Sequence, residues 1–199
     1  TIQPQAAAVV LDQHTGELKA IVGSRDVPTT QKSLNRAYQS RMPVGSSIKP
    51  ITVYGPAFDA GCGLGTIIEN IPVAIPGWGT AAGYPKTSTG TYGPTPIRTG
   101  IVKSLNIVAA RTLMTKVGIE NSYNYLVNLG VSTKALNADG VGLALGTSGI
   151  TVIEMAGAYG CIANGGTYLE PLSFSKVVDN NGNTILDANE VRETRQVYK

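Results

Sequence analysis

Apolar positions along this 199-residue chain fall into short runs separated by glycine- and proline-rich stretches. Residues 6–12 (AAAVVLD) and 17–23 (ELKAIVG) flank Gln13-His14-Thr15-Gly16, a pattern that predicts a β-hairpin with glycine in the turn. A polar, basic connection covers 24–43. A helix is expected over 46–60, stopped by Gly61-Cys62-Gly63, with Pro50 in or just beyond its first turn, where a missing N–H costs least. Residues 64–76 read as extended. Residues 77–96 show neither helical nor strand period, and so long a loop in a compact domain is often functional. Its Trp78, Tyr84 and Tyr92 either line a groove or pin the loop to the surface.

Thr95-Pro96 resembles an N-cap followed by proline at the first helical position. Apolar residues at 97, 101, 105, 108, 109 and 113 then keep helical spacing as far as Val117-Gly118. A shorter helix is predicted over 120–129, ending at Gly130, and 131–149 reads as a glycine-rich loop. Thr151-Val152-Ile153-Glu154 is a capping-box pattern opening a helix that ends at Asn164-Gly165-Gly166. Runs 172–178 and 184–187 flank Asp179-Asn180-Asn181-Gly182, a second hairpin signal. Residues 189–199 read as a helix or a ragged end.

Composition narrows the function classes. Only 15% of residues are charged, against about a quarter in an average domain, while 42% are hydrophobic, so the chain is globular rather than disordered. The first fifty residues hold six bases and three acids, and the remainder is balanced. No dense Lys/Arg stripe results, so no nucleic-acid partner is expected. The longest apolar run, Ala6 to Leu11, is strand-sized and far below the ~20 residues of a membrane span. Cys62 and Cys161 form neither a zinc pattern nor a disulfide scaffold, and read as small hydrophobes. The single histidine, His14, falls at a hairpin tip, which removes Ser-His-Asp chemistry. No His/Cys/Asp/Glu cluster has ligand spacing, so no metal or cofactor is implied.

Two short motifs carry chemistry. Ser46 and Lys49 lie three apart at a helix start, so Lys49 Nζ is expected to reach Ser46 Oγ. A serine needs a neighbour to take its proton, and a lysine serves if burial lowers its pKa. Free N–H groups at the helix start would stabilise a developing oxyanion. The plainer alternative is a serine N-cap beside an exposed lysine. In Lys103-Ser104-Leu105-Asn106, the hydroxyl of Ser104 can relay a proton and the amide of Asn106 can orient a substrate amide. The plainer alternative there is that Asn106 caps or breaks a helix.

Taken together and in this order, S-x-x-K followed by S-x-N resembles the penicillin-binding proteins and serine β-lactamases. The surrounding residues resemble more closely the transpeptidase domain of class A (bifunctional) penicillin-binding proteins. The matching stretches are Asp12 to Glu17 through Val22-Gly23, Pro43-Val44-Gly45-Ser46-Ser47-Ile48-Lys49-Pro50-Ile51-Thr52, and Lys103 to Asn106 leading to Ala110-Arg111. Leu143-Ala144-Leu145-Gly146-Thr147-Ser148 and Glu154 to Tyr159 leading to Ala163-Asn164-Gly165-Gly166 also match. The family's third motif, K-T-G, is absent. Lys86-Thr87-Ser88 precedes the S-x-N motif, and Lys116-Val117-Gly118 lies at a helix end.

The resemblance implies an α+β fold: a mainly antiparallel sheet flanked by helices, with a helical subdomain. Residues 1–199 would form the N-terminal part of one transpeptidase domain, with the K-T-G motif and the remaining strands beyond residue 199, in the same polypeptide or a separate chain. Without them the hairpin would keep an open edge, so the chain is expected to need that complement to fold well. By carry-over, Ser46 is the nucleophile, Lys49 the base, Ser104 the proton relay and Asn106 the substrate-binding amide. The implied function is a peptidoglycan D,D-transpeptidase, acylated by β-lactams, at the extracytoplasmic face of a bacterial membrane to which the full-length protein is anchored. The implied partners are the peptidoglycan stem peptide and β-lactam antibiotics. The alternatives are a serine β-lactamase or D,D-carboxypeptidase, or a truncated, non-catalytic cell-wall-binding module. No E-x-x-L-N stretch follows the S-x-N motif, which argues against a class A β-lactamase.

Overall fold

A computed structural model describes residues 3–74, 85 and 93–199. The predicted hairpin is present as β1 (Ala8–Leu11) and β2 (Leu18–Val22), paired antiparallel from Ala8↔Val22 to Leu11↔Leu18. Gly16 closes its turn at φ +72°, a conformation that favours glycine. The polar connection contains a short helix α1 (Arg36–Gln39), whose N-cap Asn35 accepts from the Ala37 N–H.

The helix expected over 46–60 is helical over almost all of its length but takes three pitches in turn. It begins as a 3-10 turn (Gly45–Ile48), widens to a π turn (Pro50–Tyr54) and ends as α2 (Gly55–Asp59). Pro50 is the physical reason. It cannot donate to the carbonyl of Ser46, which instead accepts from the Lys49 N–H. Within the extended stretch, Ile67–Glu69 pairs antiparallel with Pro94–Pro96. Most of the 77–96 loop, with Trp78, Tyr84 and Tyr92, lies outside the described residues.

The helix expected from Thr95 to Val117 differs in two ways. Thr95 is in a strand, and Pro96 is the N-cap, with no side-chain cap bond. The helix is also interrupted, giving α3 (Ile97–Val102), then α4 (Asn106–Thr112) with a π turn over Leu113–Val117. α5 (Ile119–Asn128) ends before Gly130 at φ +74°, as expected. The glycine-rich segment 131–149 is not simply a loop. It holds a 3-10 turn (Thr133–Ala135) and α6 (Gly140–Leu145), capped by Asp139. Helix propensity misses α6, because two of its six residues are glycine; its burial supplies what propensity does not.

The capping box holds: Thr151 and Glu154 exchange both bonds at the start of α7 (Val152–Ala163). The second hairpin pairs Lys176–Val178 with Thr184–Asp187. The chain end forms α8 (Ala188–Val191) and a strand, Thr194–Gln196, antiparallel to Thr167–Leu169.

These elements form two compact units. The first comprises residues 1–42, 128–132 and 150–199. Here α7 packs on β1 and on Thr167–Leu169, burying Ala158, Cys161 and Tyr168. The Arg41 guanidinium makes two 2.8 Å bonds to the Glu154 carboxylate. Val10, Ile21 and Val22 of the hairpin stay exposed. The second unit comprises residues 43–127 and 133–149. It is mainly helical, and its core gathers Ile48, Ile51, Val53, Ile97, Val108 and Leu143 at 0% exposure. Both cysteines are free, Cys161 buried and Cys62 half-buried, as small hydrophobes should be.

Candidate active site

All four residues singled out by their chemistry lie in the second unit. Ser46 sits in the 3-10 turn that opens with Gly45, whose φ is +58°. The Ser47 hydroxyl closes this turn by donating to Val44 O at 2.7 Å. Ser46 is exposed, and Lys49, three residues on, is buried at 2% exposure.

The expected bond between Lys49 Nζ and Ser46 Oγ is not formed among the described residues. Lys49 Nζ instead meets Ser104 O at 2.8 Å, Ser104 Oγ at 3.1 Å and Asn106 Oδ1 at 2.7 Å. The same-face rule for helical neighbours assumed a regular helix; here the turn is 3-10 and then π, and stronger acceptors stand on the neighbouring segment.

Those acceptors are presented by the break between α3 and α4. The Ser104 N–H donates to Ile101 O and the Leu105 N–H to Gly100 O, the paired bonds that end a helix at a left-handed residue. Glycine usually takes that position, but here it is Ser104 at φ +51°. A left-handed serine costs on the order of 1 kcal/mol, and such strain concentrates at functional positions. The twist aims both the carbonyl and the hydroxyl of Ser104 at Lys49. Asn106 then opens α4 with its amide oxygen on the same ammonium.

Two protonation states of Lys49 fit this site. As an ammonium, its three N–H groups meet three oxygens. As a neutral amine, two N–H groups serve the carbonyl oxygens of Ser104 and Asn106, and its lone pair accepts from the Ser104 hydroxyl. Burial lowers the Lys49 pKa to about 8. Roughly a tenth of it is then neutral at pH 7, against about three in ten thousand for a free lysine. Ser46, Ser104 and Asn106 are all exposed around the buried amine, so an acyl donor has access to the hydroxyls. No group of three or more metal-ligating side chains occurs among the described residues.

Residues 6–198 match the family model of the penicillin binding protein transpeptidase domain. The chain belongs to this family. Penicillin-binding protein 1A of Clostridium acetobutylicum is 38% identical over 94% of this chain and 24% of its own length. That of Haemophilus influenzae is 36% identical over 92% of this chain and 21% of its own. The chain thus spans about a quarter of the length of the curated relatives it matches. Among solved structures, penicillin-binding protein 1A from Haemophilus influenzae superposes with a TM-score of 0.77 over 93% of this chain and 27% of that one. The penicillin-binding protein PonA1 from Mycobacterium tuberculosis gives 0.78 at 26% identity, over 98% of this chain and 52% of that one. The fold is that of the penicillin-binding transpeptidase domains, α+β as expected. No helix among the described residues is long and apolar enough to cross a membrane.

Sequence reasoning alone missed α6 and what it holds. Thr52 and the Leu143–Ser148 stretch were legible only as parts of the family resemblance. The structure places Leu143, Gly146 and Thr52 around the Ser46 turn.

Proposed function

We propose that this chain carries the acyl-transfer centre of a peptidoglycan D,D-transpeptidase. The observation that carries the reading is the convergence of Ser104 and Asn106 on the buried Lys49 amine, in a member of the transpeptidase family. Ser46 Oγ attacks the carbonyl of the penultimate D-Ala of a stem peptide, and its proton passes to neutral Lys49. The Ser104 hydroxyl, already on Lys49, hands that proton to the leaving D-Ala amine as the C–N bond breaks. Asn106 steadies the Lys49 amine and holds the substrate amide. The amine of a second stem peptide then attacks the acyl-serine, forming the cross-link and returning the proton to Ser46.

A β-lactam enters the same step. Ring opening leaves its amine tethered to the acyl group, so no leaving group departs and the adduct persists. A PonA1 structure in complex with penicillin V, 25% identical to this chain, makes a penicillin the natural probe. The substrate places the reaction at the extracytoplasmic face of the bacterial membrane, with the full-length protein anchored there.

The test is intact-protein mass spectrometry of the full-length protein after incubation with benzylpenicillin, beside Ser46→Ala. A stable penicilloyl adduct in the parent, absent from the variant, is the expected result. An unmodified parent, or an adduct that survives Ser46→Ala, overturns the assignment.

A further inference from the structure

The Ser46–Lys49 turn is closed locally by the Lys49 N–H on Ser46 O and the Ser47 hydroxyl on Val44 O, but it has no regular helical ladder. It passes from 3-10 to π, and Pro50 removes the N–H that would bond back to Ser46 O. Its geometry therefore depends on contacts from outside. The final carbonyls of a helix have no intrahelical partners and must find them elsewhere. At the end of α6, the carbonyls of Leu143 and of the C-cap residue Gly146 face the nucleophile segment. Gly146 O accepts from the Gly45 N–H at 2.9 Å, one residue before Ser46. Leu143 O accepts from the Thr52 hydroxyl at 2.6 Å, three residues after Lys49. Thr52 is fully buried, and its own carbonyl accepts from Ser122 Oγ at 2.8 Å.

Gly146 meets a requirement that no other residue type satisfies. Its φ is +77°, and a Cβ built on it would lie 2.0 Å from Gly45 O and 2.5 Å from Gly45 N. Any side chain at 146 must push the backbone that precedes Ser46. At Gly45 itself, φ is +58° and no atom lies within 4 Å of a built Cβ. The tight approach is thus set from the Gly146 side. The turn after Gly146 is itself tied down. The Asn137 N–H donates to Ser148 Oγ at 3.0 Å and its amide to Thr147 Oγ1 at 3.1 Å.

We propose that the carbonyl end of α6 is a two-point clamp that positions Ser46 against Lys49, with Gly146 as its central positioning residue. The inference rests on Ser46 being the nucleophile, and it adds residues that never touch substrate. Because the clamp holds the reacting atoms rather than the ligand, loosening it slows the chemical step and spares initial binding.

The test uses the full-length protein, with penicillin acylation resolved into initial binding and the covalent rate constant. Hydrogen exchange of the peptide around residues 43–54 is followed in parallel. Gly146→Ala should slow the covalent step about 100-fold, the cost of an ångström-scale misplacement, with binding little changed. Thr52→Val should slow it less, and Thr52→Ser, which keeps the donor, should restore it. Both slowed variants should exchange faster around Ser46.

Gly130→Ala is the matched control. Gly130 also has positive φ, +74°, and a Cβ there would lie 2.0 Å from Tyr168 Oη, in the first unit. It should lower the melting temperature without slowing acylation selectively. The clamp is overturned if Gly146→Ala acylates at the parental rate, if Thr52→Ser is as slow as Thr52→Val, or if Gly130→Ala is as slow as Gly146→Ala. Should Gly146→Ala fail to fold, the Thr52 pair decides. A parent that is not acylated refutes the transpeptidase reading instead, and hydrogen exchange then decides the clamp alone.

Discussion

Lys49 Nζ donates to Asn106 Oδ1 at 2.7 Å, joining two segments 57 residues apart in the chain. The bond matters because the partner is a neutral amide. A carboxylate in the same place would favour the ammonium form and take away the base that the proposed mechanism requires. Asn106→Asp is nearly isosteric, so it separates charge from shape. It should move the rising limb of the acylation profile upward by about 1–3 pH units and cut the rate at pH 7 at least tenfold. Stopped-flow acylation from pH 6 to 10 reads this directly. A profile superimposable on the parent's would show that Lys49 is not the titrating base.

The parent itself should show acylation rising with pH through about 8, where Lys49 loses its proton. The same shift has a stability consequence. Burial lowers the folded value below the ordinary 10.5, so between about 8 and 10.5 the unfolded chain binds more protons than the folded one. The Lys49 contribution to stability therefore grows as pH rises through that window. Urea unfolding of the parent and of Lys49→Met should show the parent gaining on the variant from pH 8 to 10. A constant difference would refute the shift.

Ser104 holds a left-handed backbone, φ +51°, that glycine adopts without cost. Ser104→Gly relieves the left-handed cost while keeping the backbone carbonyl that Lys49 contacts. The melting temperature should hold or rise, by up to about 1 kcal/mol in stability, while acylation and transpeptidation fall. A variant that loses both activity and stability would assign Ser104 to the fold.

Glu154 serves the fold rather than the site. Burial opposes its ionisation, but Arg41 and the N–H groups of Thr151 and Ser132 outweigh this, so its carboxyl titrates below the usual 4.5. The folded value is depressed, so its contribution is present above about 4.5 and fades as pH falls through the folded value. Glu154→Gln should cost about 2 kcal/mol at pH 7, with the gap to the parent closing in acid. Thermal unfolding at pH 7 and pH 3 checks both statements.

Local pattern and physical outcome agree at the hairpin turns, the cap of α7 and the end of α5, but not at the Thr95-Pro96 cap signal, where Thr95 is in a strand and Pro96 is the N-cap. The hairpins turn on Gly16 and on Asp179 to Gly182, the cap of α7 is the Thr151–Glu154 exchange, and α5 stops before Gly130. Each depends on a few adjacent residues with a strong conformational preference. The break between α3 and α4 was hidden because Ser104 occupies a position where glycine would have announced it, while the apolar spacing ran on uninterrupted. α6 was hidden because two glycines mask a helix that burial sustains.

The sequence by itself determined the four candidate site residues, their order and the family the chain belongs to, because the S-x-x-K and S-x-N motifs are contiguous in the chain and are read without knowing the fold. It also determined that Ser46 and Lys49 share one short segment. Only the tertiary structure decided which oxygens Lys49 meets. Pro50 breaks the regular helix that would have turned the amine toward Ser46, and the left-handed Ser104 brings a carbonyl, a hydroxyl and the amide of Asn106 to it instead. The lowered pKa of Lys49 is likewise a property of burial, and burial comes from residues distant in the chain. So does the grip of Gly146 on Gly45, where two backbones approach across a hundred residues because Gly146 carries no side chain to keep them apart.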